Sequence, residues 1–113
     1  MDIRVKAAGL AGSAVLAEHA RRRLQSRLLD RSDRVERVDV RLGDTCSRGG
    51  VHDVYCLVQL HLNGAPSAAV VDIGTDMWAT IDRTADRVGR LAGEQIARAH
   101  AKAQDELATQ ARR

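Results

Sequence analysis

The stretch VYCLVQLHLNGAPSAAVVDI, Val54 to Ile73, decides how this chain folds. Cys56, Val58, Leu60 and Leu62 alternate with Tyr55, Gln59 and His61, the period-2 signature of a strand with one buried face. Asn63-Gly64 is the strongest short hairpin signal, because both residues tolerate the positive φ that tight turns demand. Ala68 to Ile73 supplies the returning strand, and Pro66 marks a strand start or an edge. An antiparallel hairpin is therefore expected, with Cys56, Val58, Leu60 and Leu62 pointing into a core.

Upstream, Val38, Val40 and Leu42 alternate with Arg37, Asp39 and Arg41, predicting another strand before a loop from Gly43 to Gly50. Ile3 and Val5 against Arg4 and Lys6 predict a first strand over residues 2–8, closed by Gly9 and Gly12. Between these strands, Leu16, Ala20, Leu24 and Leu28 recur every four residues, the narrow apolar stripe of a helix that starts at Ser13 as N-cap and runs to about Asp30. Downstream, Gly74-Thr75-Asp76 offers a cap. From Met77 to about Lys102 the pattern is helical, with Met77, Ile81, Ala85, Val88, Ala92 and Ala99 on one arc.

A strand-helix-strand opening pairs its strands in parallel, whereas the short later connections require antiparallel neighbours. The expected fold is α+β: a two-layer sandwich of order β-α-β-β-β-α, with a four-stranded mixed sheet and two helices on one face. Residues 1–104 form this domain, and residues 105–113 are expected to be a short polar C-terminal tail that frays.

The chain has 113 residues, enough for one core and not two. Hydrophobic residues make up 44% and charged residues 29%, which excludes disorder, and no apolar run reaches the ~20 residues of a membrane span. The N-terminus lacks a secretory signal, so a soluble cytoplasmic protein with reduced thiols is expected. Aromatics are only 2%, Trp78 and Tyr55, which argues against a base-stacking platform.

The net charge is +3, and no Lys or Arg falls between residues 49 and 82. The cations concentrate instead on the two helices. Arg83, Arg87, Arg90 and Arg98 share one stripe of the last helix, with Lys102 at its margin; Arg21, Arg22, Arg23 and Arg27 repeat the theme on the first. Guanidinium groups are permanently charged planar forks suited to phosphate oxygens, and two basic helices side by side make the electrostatic footprint of nucleic-acid binding. The plainer alternative is a solvated surface in which Asp82 and Asp86 pair along their own helix with Arg83, Arg87 and Arg90.

Other chemistry finds weaker support. Cys46, His52, Cys56 and His61 supply the atom types of a zinc site, but ten residues separate the thiols and no C-x-x-C knuckle occurs, so structural thiols are expected. Ser47, His52 and Asp53 are neighbours in sequence, which is not how a catalytic triad is assembled. His19 and His100 read as surface residues. No glycine-rich phosphate loop is present, no cofactor is required, and the expected protein is not an enzyme.

Asp76-Met77-Trp78, followed by Ile81-Asp82, Asp86-Arg87-Val88 and Arg90, resembles the start of the last helix in the bacterial ribosome hibernation-promoting factors and the related ribosome-associated translation inhibitors. Their strand-helix-three-strand-helix order matches the one read above, and Asn63-Gly64 stands where their hairpin turns. The resemblance implies binding to the small ribosomal subunit and its rRNA, in the channel of messenger and transfer RNA, so that idle ribosomes cannot initiate. The family's basic positions carry over to Arg87, Arg90 and Arg98 and, on the first helix, to Arg23 and Arg27; Arg22, Arg83 and Lys102 join them from charge and geometry. Glu94 stands where the family usually has Lys. Trp78 replaces Tyr and is compatible with burial at the helix start. The length implies a short form without the C-terminal dimerisation domain of the long members. The rival expectation is a protein-interaction module that recruits a partner through the sheet edge or the hairpin.

Overall fold

The computed structural model describes residues 1–7, 9–46 and 52–111. Its elements are β1 (Asp2–Lys6), α1 (Ser13–Leu28), a short 3-10 turn (Leu29–Arg31), β2 (Val35–Cys46), β3 (His52–Leu62), β4 (Ala68–Gly74) and α2 (Met77–Ala111). The four strands lie in the order β1-β2-β3-β4, with β1 parallel to β2 and the other neighbours antiparallel. The expected α+β sandwich with its mixed sheet is the fold observed.

The core is aliphatic. Leu16, Ala20, Leu24 and Leu28 from α1 meet Val38, Val40 and Leu42 from β2, Cys56, Val58, Leu60 and Leu62 from β3, and Met77, Ile81, Ala85, Val88 and Ala92 from α2, all buried. Each fully buried Leu, Ile or Val is worth about 1.5–3 kcal/mol, so these stripes fix which face of each element turns inward. Val35 is also buried, out of step with Val38, because the register slips between Val35 and Arg37 and lets two residues of β2 oppose one of β3.

Four expectations about element ends are corrected. Ser13 is the first residue of α1 rather than its cap; the cap is Gly12, at φ 69°, which makes no side-chain hydrogen bond, and the chain has bent into the left-handed region that glycine enters without strain. β2 continues through Gly43 to Cys46 where a loop was expected. A Cβ on Gly43 would lie 2.7 Å from the Tyr55 ring of the paired position on β3, so the glycine is the seat of that ring. α2 runs past Lys102 to Ala111, because Ala, Lys, Gln, Glu and Leu favour helix and nothing in AKAQDELATQA breaks it. Trp78 is 43% exposed rather than buried, since Met77 and Ile81 take the inward positions of the first turn.

Thr80 and Thr84 are buried polar residues of α2. Thr80 Oγ1 donates to the Asp76 carbonyl at 2.7 Å, and Thr84 Oγ1 donates to the Thr80 carbonyl at 2.8 Å, so neither hydroxyl is left without a partner. The Asp76 carboxylate accepts the Trp78 backbone N–H at 3.2 Å and caps the helix as expected.

Candidate nucleic-acid interface

α1 and α2 lie side by side on the sheet and are joined by a ladder of contacts that advances along both helices in the same direction. Trp78 packs on His19, ring centroids 4.6 Å apart and tilted by 58°. One turn on, Asp82 Oδ1 accepts from Arg23 Nε and meets His19 Nε2, both at 2.8 Å. Asp86 Oδ1 forms an ion pair with Arg27 Nε at 2.6 Å. Asp82 and Asp86 thus reach across to the other helix, and the expected pairing with Arg83, Arg87 and Arg90 on their own helix is not the one formed. The Arg23 hydrogen bond, opposed in part by burial and assisted by His19, holds the Asp82 carboxyl below the usual carboxylate range; Asp82 in turn raises the Arg23 guanidinium.

The ladder closes on two glycines. A Cβ on Gly89 would sit 3.2 Å from Arg27 Cβ and 3.4 Å from the Arg27 carbonyl oxygen, so the helices cross backbone against backbone there. A Cβ on Gly93 would stand 2.8 Å from a guanidinium nitrogen of Arg31, which lies flat over the vacant position. Each glycine costs about 1 kcal/mol of helix propensity relative to Ala, and the close approach is what that cost secures. Around this crossing Arg27, Arg31, Asp86, Gly89 and Arg90 line an open concavity of about 550 Å³.

The structure places the eight candidate cations in different situations. Arg22 Nε holds Glu18 at 3.1 Å, the two lining a shallow concavity with His19 and Trp78, and Arg23 and Arg27 belong to the ladder. Arg83 donates to the Ile73 carbonyl at 3.4 Å; Arg87 donates to the Val71 carbonyl at 3.4 Å and to Asp72 Oδ1 at 2.6 Å. These two arginines therefore lie along the outer edge of β4. Arg90, Arg98 and Lys102 are exposed and hold no carboxylate among the described residues, but Lys102 stands far along α2 beside Asp105 and Glu106. The fold thus brings together Arg27 and Arg90, with Arg98 further along the same helix. Arg31, which sequence reasoning missed, joins them; its signal was only its spacing of four from Arg27, beyond the predicted helix end. Ion pairing through a single Nε leaves the other guanidinium N–H groups of Arg27 free to donate.

The remaining candidates separate. Cys56 is buried, its thiol pushed up to about 11 by burial, while His61 lies on the opposite face of the sheet. Among the described residues no group of three or more His, Cys, Asp or Glu is placed to hold a metal ion. Ser47 lies outside the described residues, as do the side chains of Cys46 and His52. A chain of contacts links Ser67 Oγ to His61 Nδ1 at 3.4 Å and His61 Nε2 to Asp39 Oδ2 at 3.2 Å, the order of a hydrolytic triad. Asp39 Oδ2 also accepts from Arg37 Nε at 3.0 Å, Ser67 is exposed on the hairpin, and the concavity that Arg37 and Asp39 line stops short of His61 and Ser67. The chain ties the hairpin base to β2 and frames no substrate pocket. No helix among the described residues is long and apolar enough to cross a membrane.

The sequence matches no protein-family model and no curated protein. Solved structures share the fold. The N-terminal domain of Protein Y from Thermus thermophilus superposes with a TM-score of 0.64 at 19% identity, covering 80% of this chain and 94% of that one. A ribosomal subunit interface protein from Coxiella burnetii gives 0.68 at 16% identity, covering 86% of this chain and 99% of that one. At such identity the likeness establishes the fold and not the activity.

Proposed function

We propose that this protein is a ribosome hibernation factor of the cytoplasm, which binds the small ribosomal subunit through rRNA phosphates and blocks the mRNA and tRNA sites by occupying them, without catalysis. The observation that carries this reading is the cluster of Arg27, Arg31 and Arg90 above the Gly89–Gly93 crossing, on a fold shared with a protein described as a ribosomal subunit interface protein. Arg98 extends the cluster along α2, Arg23 adjoins it along the helix seam, and Arg22, Arg83, Arg87 and Lys102 are outlying contacts. Phosphate contacts carry no base sequence, so the shape of the ribosomal cleft supplies selectivity, and affinity falls steeply with salt.

Arg83 and Arg87 cover the backbone carbonyls of β4, which counts against recruitment of a partner through that edge. The test is co-sedimentation with small subunits. The expected result is binding at low salt that weakens steeply as salt rises and is abolished in the Arg90→Glu/Arg98→Glu variant, with thermal unfolding nearly unchanged. Arg87 is left intact because its ion pair with Asp72 is structural. Binding indifferent to salt, or retained by the variant, overturns the reading, and indifference to nuclease as well favours the interaction module.

A further inference from the structure

The helices cover one face of the sheet and leave the other open, and the two halves of the open face differ. Tyr55 and Leu57 of β3 are half-buried, and Val71 and Ile73 of β4 are exposed, making one half apolar. The β1–β2 half carries Arg4, Lys6, Arg37 and Arg41 against one carboxylate, Asp39, around a concavity of about 370 Å³ that Val40, Leu57 and Gln59 also line. Arg4 and Arg37 each meet a carboxylate, Asp2 at 2.9 Å and Asp39 at 3.0 Å. Lys6 and Arg41 do not: neither holds a carboxylate among the described residues. They are also direct register partners on the parallel strands β1 and β2.

Like charges directly abreast on neighbouring strands destabilise a sheet, and strands about 4.8 Å apart bring the two heads within reach of a single anion. We propose that Lys6 and Arg41 form a second phosphate site, on the face opposite the helices, that holds an RNA backbone, with Gln59 beside it to meet a sugar or base edge. An RNA backbone is the occupant because the partly enclosed concavity combines a net positive pair with flanking guanidinium groups, and a phosphodiester chain can meet several of these cations at once. The inference extends the ribosome reading: with cations on both faces, the molecule is gripped from two sides in a cleft.

The test compares wild type with Lys6→Gln/Arg41→Gln for binding to small ribosomal subunits and, separately, to polyuridylate over a range of salt. The expected result is an affinity about tenfold lower for both RNAs, a log–log salt slope shallower by about 1.5 and a thermal midpoint equal to or above wild type. Unchanged affinity and slope, or a clear fall in thermal midpoint, overturns the proposal. Sodium phosphate that displaces polyuridylate far better than chloride at equal ionic strength points to a free-anion site and overturns the RNA assignment. Loss of the variant's polyuridylate binding while wild type ignores subunits leaves the sheet site standing and removes the ribosome reading. Subunit binding indifferent to the variant does the reverse.

Discussion

The helix layer and the open sheet face are both rich in cations, yet they handle charge in opposite ways. On the helices, Arg23 and Arg27 are knitted to Asp82 and Asp86 of the neighbouring helix, so much of the positive charge is scaffold. On the sheet, Lys6 and Arg41 stand abreast with no carboxylate partner among the described residues. Abundance of arginine is thus a poor guide to function, and the better guide is which cations the fold leaves without a carboxylate among the described residues, Arg31, Arg90 and Arg98 among them on the helix side and Lys6 and Arg41 on the other.

The largest way to break this contrast acts on the seam between the helices. Gly89→Leu drives a side chain into Arg27 backbone and is expected to cost about 1–3 kcal/mol, measured by thermal or denaturant unfolding. A neutral outcome would mean that the helices separate freely and that the ladder holds nothing.

A smaller effect follows from Asp82→Ala, which frees Arg23 and His19 together. Because these groups are partly exposed, a loss of no more than about 1 kcal/mol is expected at neutral pH. The Asp82 carboxyl lies below its ordinary value of 3.8 in the folded state, so its contribution is complete above that pH and disappears as pH falls through the lower folded value. Wild type and variant should therefore converge in stability in strong acid; a gap that stays constant with pH refutes the ion-pair account.

The smallest effect belongs to Gly93→Ala. The methyl group displaces only the mobile end of Arg31 while helix propensity improves by about 1 kcal/mol, so stability should rise by a few tenths to 1 kcal/mol in the same unfolding assay. A marked loss would show that Arg31 is fixed by more than the cradle above Gly93.

Much of the fold was legible because burial imposes periods. The Leu16-Ala20-Leu24-Leu28 stripe, the alternation of Val38-Val40-Leu42 and the Asn63-Gly64 turn each report a local constraint, and each occurs where it was read. The site was less legible. Asp82 and Arg23 are 59 residues apart, and spacing offers an acid only the bases on its own helix, so the cross-helix ladder had no local signature. Arg31 lay past the expected end of α1. Lys6 and Arg41 sat on the polar side of alternating strands, which reads as solvated until the register sets them abreast. Gly43 and Gly12 misled in the same way, since one answers to a ring on the next strand and the other to a backbone turn.

From His100 to Ala111 every residue of α2 is exposed, a length of about 18 Å at 1.5 Å per residue. Isolated helices this short are marginal in water, so its order is lent by the anchored turns before it. Two thermal regimes are therefore expected: a sandwich that melts in one step, and a spur that unwinds gradually from its tip while the body stays intact.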